Sequence, residues 1–448
     1  MKQEKKRTVY IENLGCAKNQ VDAEVILTRL MNEGYVSVND PKEATLILVN
    51  SCGFIEAARK ESLESFFELR SANQEAKVVF SGCLAQRYAQ TLDLQLSEAD
   101  GIFGNRDLTK INEFVRRLYK EGRVVDTPPY PQIEEAEKRE KLFNFPNSAY
   151  LKTSEGCNHN CRYCAIPLIR GPLRSRSFDL IVQEAKELVA KGVREINLIA
   201  QDLAAYGTDK TKESQFLTLL KALVAIEGSF KIRLLYIHPD FFPLKLIDFI
   251  SENEKLVPYF DIPFQHASKE VLKMMGRKGD GATYLDLIKK IRAKIPHAAI
   301  RSTFLLGFTN ENEKTFKELL EFVKEAQLDW AGTFIYSKED GTPAFNDSKS
   351  LSHKIRVKKA AKWQKELEKI QQEITQNRLK RFVGTKQFVL IEELIENEDL
   401  AIGRTIYQAP EIDGLTVVMG HSLQAGSVIE CGIREVRGID LEAVAITG

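Results

Sequence analysis

Six of the seven cysteines in this 448-residue chain fall into two sets of three. Cys157, Cys161 and Cys164 stand at CxxxCxxC spacing, whereas Cys16, Cys52 and Cys83 are dispersed over the amino-terminal part. Three thiolates are one short of a closed tetrahedral site, so each set can hold a metal centre that keeps one position open for chemistry. Two occupants suit the compact set. A zinc ion would take His159 as fourth ligand, although Cys157 and His159 are awkwardly close for tetrahedral ligation and no second cysteine pair follows. A [4Fe–4S] cluster suits three cysteines on one short loop better, and leaves one iron free for a small molecule. The dispersed set has a weaker spacing signal, because buried free cysteines at strand ends also serve as ordinary core. Cys431 belongs to neither set and reads as core.

Positioning these thiols requires a folded scaffold, and the composition provides for one. Apolar residues make up 43% and charged residues 28% of the chain, as in globular proteins of about three domains. No apolar run approaches membrane-spanning length, and the short run after Met1–Arg7 is too brief for a signal-peptide core. An odd cysteine count without such a signal speaks for a reducing compartment, so the expected location is the cytoplasm, away from membranes.

Residues 6–123 alternate short β-branched runs with helical stretches, which predicts a parallel α/β sheet. Each dispersed cysteine follows one run: residues 8–11 lead to Cys16, 46–49 to Cys52 and 78–80 to Cys83. Loops at the carboxyl ends of parallel strands lie on one edge, where ligands bind, so these three cysteines are expected to converge. Residues 124–142, with Pro128, Pro129, Pro131 and the charged run Glu134 to Lys141, read as a linker. Residues 143–381 hold six strand–helix units with strands near 150–153, 195–199, 232–237, 259–263, 300–306 and 330–336, which predicts a partial parallel β/α barrel. Polar groups mark the strand ends: Glu155, Gln201 and Asp202, His238, Gln265 and His266, and Ser337, with Arg301 at the start of the fifth strand. A trailing helix over 351–381 offers Ile355, Trp363, Leu367 and Ile370 as its apolar positions. Residues 382–448 predict a small antiparallel β-barrel from strands at 387–391, 415–419 and 427–431.

The net charge of +1 hides a local imbalance. Lys354 to Arg381 carries ten bases against three acids, and Gly384 to Gly448 carries four bases against eleven acids. The basic helix reads either as a solvated face or as a contact for RNA phosphates.

The segment Tyr150-Leu151-Lys152-Thr153-Ser154-Glu155-Gly156-Cys157, with Cys161, Tyr163 and Cys164, resembles the radical S-adenosylmethionine (SAM) superfamily motif. That resemblance implies a [4Fe–4S] cluster whose open iron chelates SAM, reductive cleavage to a 5′-deoxyadenosyl radical, and Tyr163 near the adenine. Asn13 to Asn19, Asn50 to Ile55 and Ser81 to Tyr88 resemble the amino-terminal domain of the methylthiotransferase family. In that family the three dispersed cysteines hold a second [4Fe–4S] cluster that carries the sulfur to be inserted, and the chain ends in a TRAM-like barrel. The resemblance implies two uses of SAM, a methyl transfer to sulfur and the radical cleavage, together with a sulfur donor and an electron donor. Gln201, Gln265 and Arg301 are the barrel-edge candidates for holding SAM.

Residues 170–176, 201–207, 328–334 and 408–414 are similar to the branch of the family that modifies an aspartate of small-subunit ribosomal protein S-twelve, free or in the ribosome. The alternative is a branch that modifies tRNA adenosine. A terminal barrel gripping tRNA needs Lys and Arg against phosphates, whereas an acidic barrel suits a basic ribosomal protein. A zinc-stabilised nucleic-acid-binding module is the reading in which no redox chemistry occurs. One departure concerns the SAM pocket: the family's Gly-Phe-Pro-Gly-Glu-Thr is here Gly307-Phe308-Thr309-Asn310-Glu311-Asn312, although Asn accepts left-handed turn positions.

Overall fold

The computed structural model describes residues 7–131, 138–347 and 350–446. Residues 134–137 of the expected linker run lie outside them, as do residues 1–6. The chain divides into two compact units. One comprises Met1–Phe143, Glu155–Asn158 and Cys164–Glu184; the other comprises Asn144–Ser154, His159–Tyr163 and Ala185–Gly448.

The first unit contains β1 (Thr8–Asn13), α1 (Ala17–Asn32), β2 (Val36–Ser37), β3 (Leu46–Ser51), α2 (Glu56–Ala72), β4 (Lys77–Ser81), α3 (Gly82–Gln95), β5 (Gly101–Phe103), α4 (Ile111–Glu121) and β6 (Val124–Asp126). All strand pairs are parallel, in the order β2-β1-β3-β4-β5-β6. β6 thus adds a strand within the first residues of the expected linker. Alternation along β3 explains the layering. Leu46 and Leu48 join the core under α1 and α4, while Ile47 and Val49 join the core under α2 and α3. A parallel sheet covered on both faces requires such continuously apolar strands.

In the second unit the barrel strands are β7 (Ser148–Lys152), β10 (Glu195–Ile199), β11 (Lys231–Leu234), β12 (Tyr259–Asp261), β13 (Ala299–Leu306) and β14 (Trp330–Ile335). Two-residue strands β8 (Ser154–Glu155) and β9 (Arg174–Ser175) fall between the first two in sequence. The ladders form two three-stranded parallel sheets, β11-β10-β7 and β12-β13-β14, rather than one continuous wall. At the break Tyr236 takes a left-handed φ of 69° and its N–H donates to the Asp261 side chain instead of a ladder carbonyl. A bridge between Ile232 and Leu256 and the bond from Ile237 N to Asp261 O carry the wall across. Of the intervening helices, α5 (Ile166–Ile169) belongs to the first unit and α6 (Phe178–Ala190) begins in it, and α7 (Thr208–Thr211), α8 (Phe216–Val224), α9 (Lys245–Glu252), α10 (Lys269–Met274), α11 (Gly281–Lys294) and α12 (Glu313–Ala326) belong to the second.

The trailing helix α13 (Ser350–Leu379) packs through Ala360, Trp363, Leu367, Gln371 and Ile374, a helical spacing that makes one face. Trp363 stacks on Phe316 at 4.8 Å. Ile355, expected on that face, is 61% exposed, because the packed face begins only at Ala360. The terminal domain is a closed barrel of five strands, not three: β15 (Lys386–Leu394), β16 (Leu400–Thr405), β17 (Thr416–Met419), β18 (Val428–Arg437) and β19 (Asp440–Ala445). Its pairs are antiparallel except β17 with β19, which run parallel. Cys431 is fully buried in it. Among the described residues, no helix is long and apolar enough to cross a membrane.

Candidate active site

The strand order reverses between β1 and β3 in the first unit, and open α/β sheets bind ligands outside the carboxyl ends of the strands at such a point. Cys16 caps the amino end of α1 just after β1, Cys52 follows β3 directly, and Cys83 lies in the first turn of α3 after β4. Two glycines let these segments close. A Cβ at Gly15 would sit 3.1 Å from the Cys52 Cβ, and one at Gly53 would sit 2.8 Å from the Cys83 backbone. Asparagines fix the edge: Asn50 Nδ2 donates to Asn13 Oδ1 at 2.8 Å, and Asn19 Nδ2 donates to the Leu14 and Ser51 carbonyls at 3.0 Å each.

Burial pushes the Cys52 thiol up to about 12, and its neighbours Cys83 and Cys16 add to the rise. Burial also raises Cys83, with Arg170 opposing it and Cys16 adding to it. The close approaches at Gly15 and Gly53 bring the three segments that carry Cys16, Cys52 and Cys83 to one sheet edge. Among the described residues no three His, Cys, Asp or Glu side chains gather as ligands of a single ion. A four-iron cluster takes one thiolate at each of three corners, so it needs its ligands farther apart.

The compact set lies on the loop after β8, with Cys157 and Cys164 in the first unit and Cys161 in the second. Gly156 has φ +73°, and a Cβ there would meet the Pro172 carbonyl at 2.0 Å. The Cys157 N–H donates to Gly171 O at 3.1 Å, and Asn158 Oδ1 accepts from Leu173 N at 2.9 Å. Gly156→Ala should therefore distort this loop and destabilise the chain by ~1–3 kcal/mol, the cost of one strained backbone position. Denaturant unfolding measures it; unchanged stability would show that the loop tolerates the added methyl.

Cys161 Sγ stands 3.9 Å from His238 Nε2. His238 Nδ1 accepts from Asp240 N at 3.2 Å, which leaves the proton of the neutral ring on Nε2, toward the sulfur. Burial, then the charges of Arg277 and His159, pull His238 down to about 3. His159 Nε2 is 2.7 Å from Asp202 Oδ2, and its ring stacks on Phe241 at 4.6 Å. His159 is thereby already engaged, against the zinc reading.

Tyr163 and Gln201 lie toward the carboxyl end of the barrel wall. The Tyr163 hydroxyl accepts from Arg277 Nη2 at 3.1 Å, and Arg277 Nη1 donates to Pro263 O at 2.8 Å. Gln201, just after β10, has both amide atoms buried without a hydrogen-bond partner among the described residues. Leaving such an amide unpaired is costly, so it is a natural contact for a polar ligand. Gln265 is held by its backbone, with φ 70° and bonds of 2.8 Å to Thr303 O and from Leu305 N. Arg301 stands apart near the amino end of β13, with Nη1 3.2 Å from Asp261 and Nε 3.4 Å from Asp413.

The departure at residues 309–312 is accommodated. Asn310 takes φ 68°. Glu311 accepts from the Gly307 and Phe308 N–H groups and lies 3.3 Å from His266. Asn312 then caps α12 with a capping box. Arg277 escaped the sequence reading because it follows the short α10, whose periodicity is too brief to mark.

Residues 8–104 match the description Uncharacterized protein family UPF0004, residues 151–323 match Radical SAM superfamily, and residues 383–446 match TRAM domain. The chain is 42% identical to the Ribosomal protein uS12 methylthiotransferase RimO of Treponema denticola, over 96% of this chain and 99% of that protein. The RimO protein of Syntrophomonas wolfei is 40% identical over 96% and 98%. The chain belongs to the RimO family. Its members are radical SAM methylthiotransferases, so the chain is a transferase enzyme. Among solved structures, the radical SAM methyltransferase TsrM from Kitasatospora setae, with cobalamin and a [4Fe–4S] cluster bound, is similar with TM-score 0.57 at 15% identity, covering 76% of this chain and 77% of that one. The cobalamin-dependent radical SAM enzyme OxsB matches with TM-score 0.50 at 13% identity, over 79% of this chain and 56% of that one. At these identities the likeness bears on fold alone. The RimO family match covers both cysteine sets and the terminal barrel of this chain.

Proposed function

We propose that this enzyme places a methylthio group on the β-carbon of an aspartate in ribosomal protein uS12. Near full-length similarity to proteins of that name, with both cysteine sets in place, carries the reading. Cys157, Cys161 and Cys164 hold one [4Fe–4S] cluster, and Cys16, Cys52 and Cys83 hold a second. The donor sets fit: each supplies three sulfurs and leaves a position open, and N–H groups of Arg170 and Asn105 point at Cys83. Clusters of this type supply the one-electron chemistry needed to break an unactivated C–H bond, which side chains of ordinary pKa cannot do.

The chain's own residues bind and orient. Gln201 offers its buried amide to SAM, Tyr163 offers a ring fixed by Arg277, and Gln265 offers a side chain on a pinned backbone. Arg301 is assigned instead to the ion pairs with Asp261 and Asp413, since it lies at the amino end of its strand. Gln201→Leu should raise the KM for SAM about tenfold with iron content unchanged, the worth of roughly one ligand hydrogen bond. An unaltered KM would remove Gln201 from the SAM site.

Surface charge supports a basic protein as substrate. The end of β15 and the turn that follows it expose Glu393, Glu396, Glu398 and Asp399. On α13, Lys354, Lys358, Lys362, Lys365 and Lys369 are partly or fully exposed on the side opposite the packed face, a spacing that forms one stripe suited to ribosomal RNA. An electron donor, a sulfur donor and a cytoplasmic setting belong to the same proposal.

The test supplies loaded enzyme, SAM and reductant to free uS12, to small ribosomal subunits and to tRNA, with mass spectrometry as readout. One methylthiolated aspartate is expected in uS12, with a rate advantage for subunits that added salt erases. Modified tRNA with unmodified uS12 would overturn the assignment. Equal, salt-insensitive rates on free uS12 and subunits would overturn the RNA contact.

A further inference from the structure

Arg170 is a buried cation at the second cysteine set, and the reaction as described gives it no task. It follows α5, whose flanking Ala165 and own Ile169 pack against Cys83. Only 3% of it is exposed. Nη1 lies 2.7 Å from Asp22 Oδ2 and 2.9 Å from Glu155 Oε1. Nη2 donates to Asn19 Oδ1 at 2.8 Å and to the Cys83 sulfur at 3.4 Å. Asn105 Nδ2 donates to the same sulfur at 3.3 Å. Two carboxylates would satisfy a guanidinium by themselves. Here they fix one arm of the planar fork so that the other is aimed at a thiol.

We infer that Arg170 sets the reduction potential of the cluster held by Cys16, Cys52 and Cys83, by donating Nη2–H to the Cys83 sulfur; this rests on the two-cluster reading above. Reduction adds one negative charge to a cluster. A fixed cation and N–H donors at a ligating sulfur stabilise that charge, and the buried setting preserves the effect against solvent screening. The same segment also secures the other set, because Gly171 O accepts from the Cys157 N–H at 3.1 Å. Arg170 is therefore a tuning residue of the second set, and its chain neighbour Gly171 bonds the backbone of Cys157.

The experiment uses the full chain with Cys157, Cys161 and Cys164 all changed to Ala, so that only the second cluster is loaded, at about four iron atoms per chain. EPR-monitored redox titration should show a more negative potential for Arg170→Met and a smaller negative shift for Arg170→Lys, which keeps the charge. Asn105→Ala, which removes a donor without exposing a charge, should also shift it negative. Pulsed EPR of the reduced chain carrying nitrogen-15-labelled arginine should detect a guanidinium nitrogen coupled to the cluster without any change at position 170. A potential unmoved by Arg170→Met and Arg170→Lys at full iron content, or absence of the arginine coupling, overturns the inference and leaves the two-cluster reading intact. A chain that binds no iron overturns the two-cluster reading itself.

Discussion

Cys16→Ala is expected to lower iron from about eight to about four atoms per chain and to abolish methylthio transfer, while 5′-deoxyadenosine still forms from SAM. The substitution isolates chemistry from folding. Cys16 is exposed at the amino end of α1 and its side chain makes no capping hydrogen bond, so losing the thiol removes little native packing. Cys52 and Cys83 alone leave two corners of a cubane without protein ligands, too few to retain it in competition with free thiols. Cys161→Ala should give the converse loss, with no SAM cleavage and the second cluster retained. Iron assay, chromatography of the nucleoside and mass spectrometry of uS12 read the three quantities. Full transfer by Cys16→Ala would remove this cysteine from the reaction.

Arg404→Met should destabilise the second unit by ~3–5 kcal/mol, as breaking a buried ion pair from one side leaves its partners charged and unpaired. Arg404 Nη2 lies 2.6 Å from Glu195 and 2.7 Å from Glu392, and all three side chains are buried. Arg233, itself fully buried, shares Glu195 at 2.7 Å and donates to Ile406 O at 2.9 Å. With Tyr259 donating to Asp413 at 2.6 Å and Trp330 to Tyr407 O at 2.8 Å, these contacts bind the β16–β17 segment to the amino ends of the barrel strands.

The pH dependence of that loss has a definite sign. Burial alone would raise the Glu195 carboxyl, but Arg404 and then Arg233 hold it well below the usual carboxylate range. Its stabilisation is therefore present above the unfolded value of ~4.3 and is lost as pH falls through the lower folded value. Burial keeps Glu392 above its ordinary value, with Arg404 opposing. Without Arg404 it rises further, and protonation relieves the variant as pH falls. The gap between wild type and Arg404→Met should thus be widest at neutral pH and narrow toward ~4.3. Denaturant unfolding at several pH values measures it, and a constant gap would mean that Glu392 does not titrate in response.

Much of this was legible before any fold was known, because the signals are local. Val9, Ile47, Val49 and Val78 mark strands by type and period, and each dispersed cysteine follows such a strand, so convergence on one edge follows from parallel topology. CxxxCxxC is a loop property and needs no tertiary partner to be read. Two strands of the terminal barrel, β16 and β19, escape the sequence reading and β18 is curtailed at residue 431, because Gly403 and Gly432 interrupt the alternation of β16 and β18 and β19 is short. Ile355 misled for the opposite reason, since an apolar residue at helical spacing is buried only where another element meets it.

By itself the amino-acid sequence determined the spacing of the two cysteine sets, the alternation that builds each sheet, and the charge contrast between α13 and the last barrel. Tertiary structure alone decided the partners of buried charges. Arg170 belongs to Asp22, Glu155 and Cys83, Arg301 to Asp261 and Asp413, and Arg404 to Glu195 and Glu392. The reason is physical: a strand or helix is favoured by neighbours a few residues away, whereas the pairing of a desolvated charge is set by whichever distant segment the closed fold brings within hydrogen-bond reach.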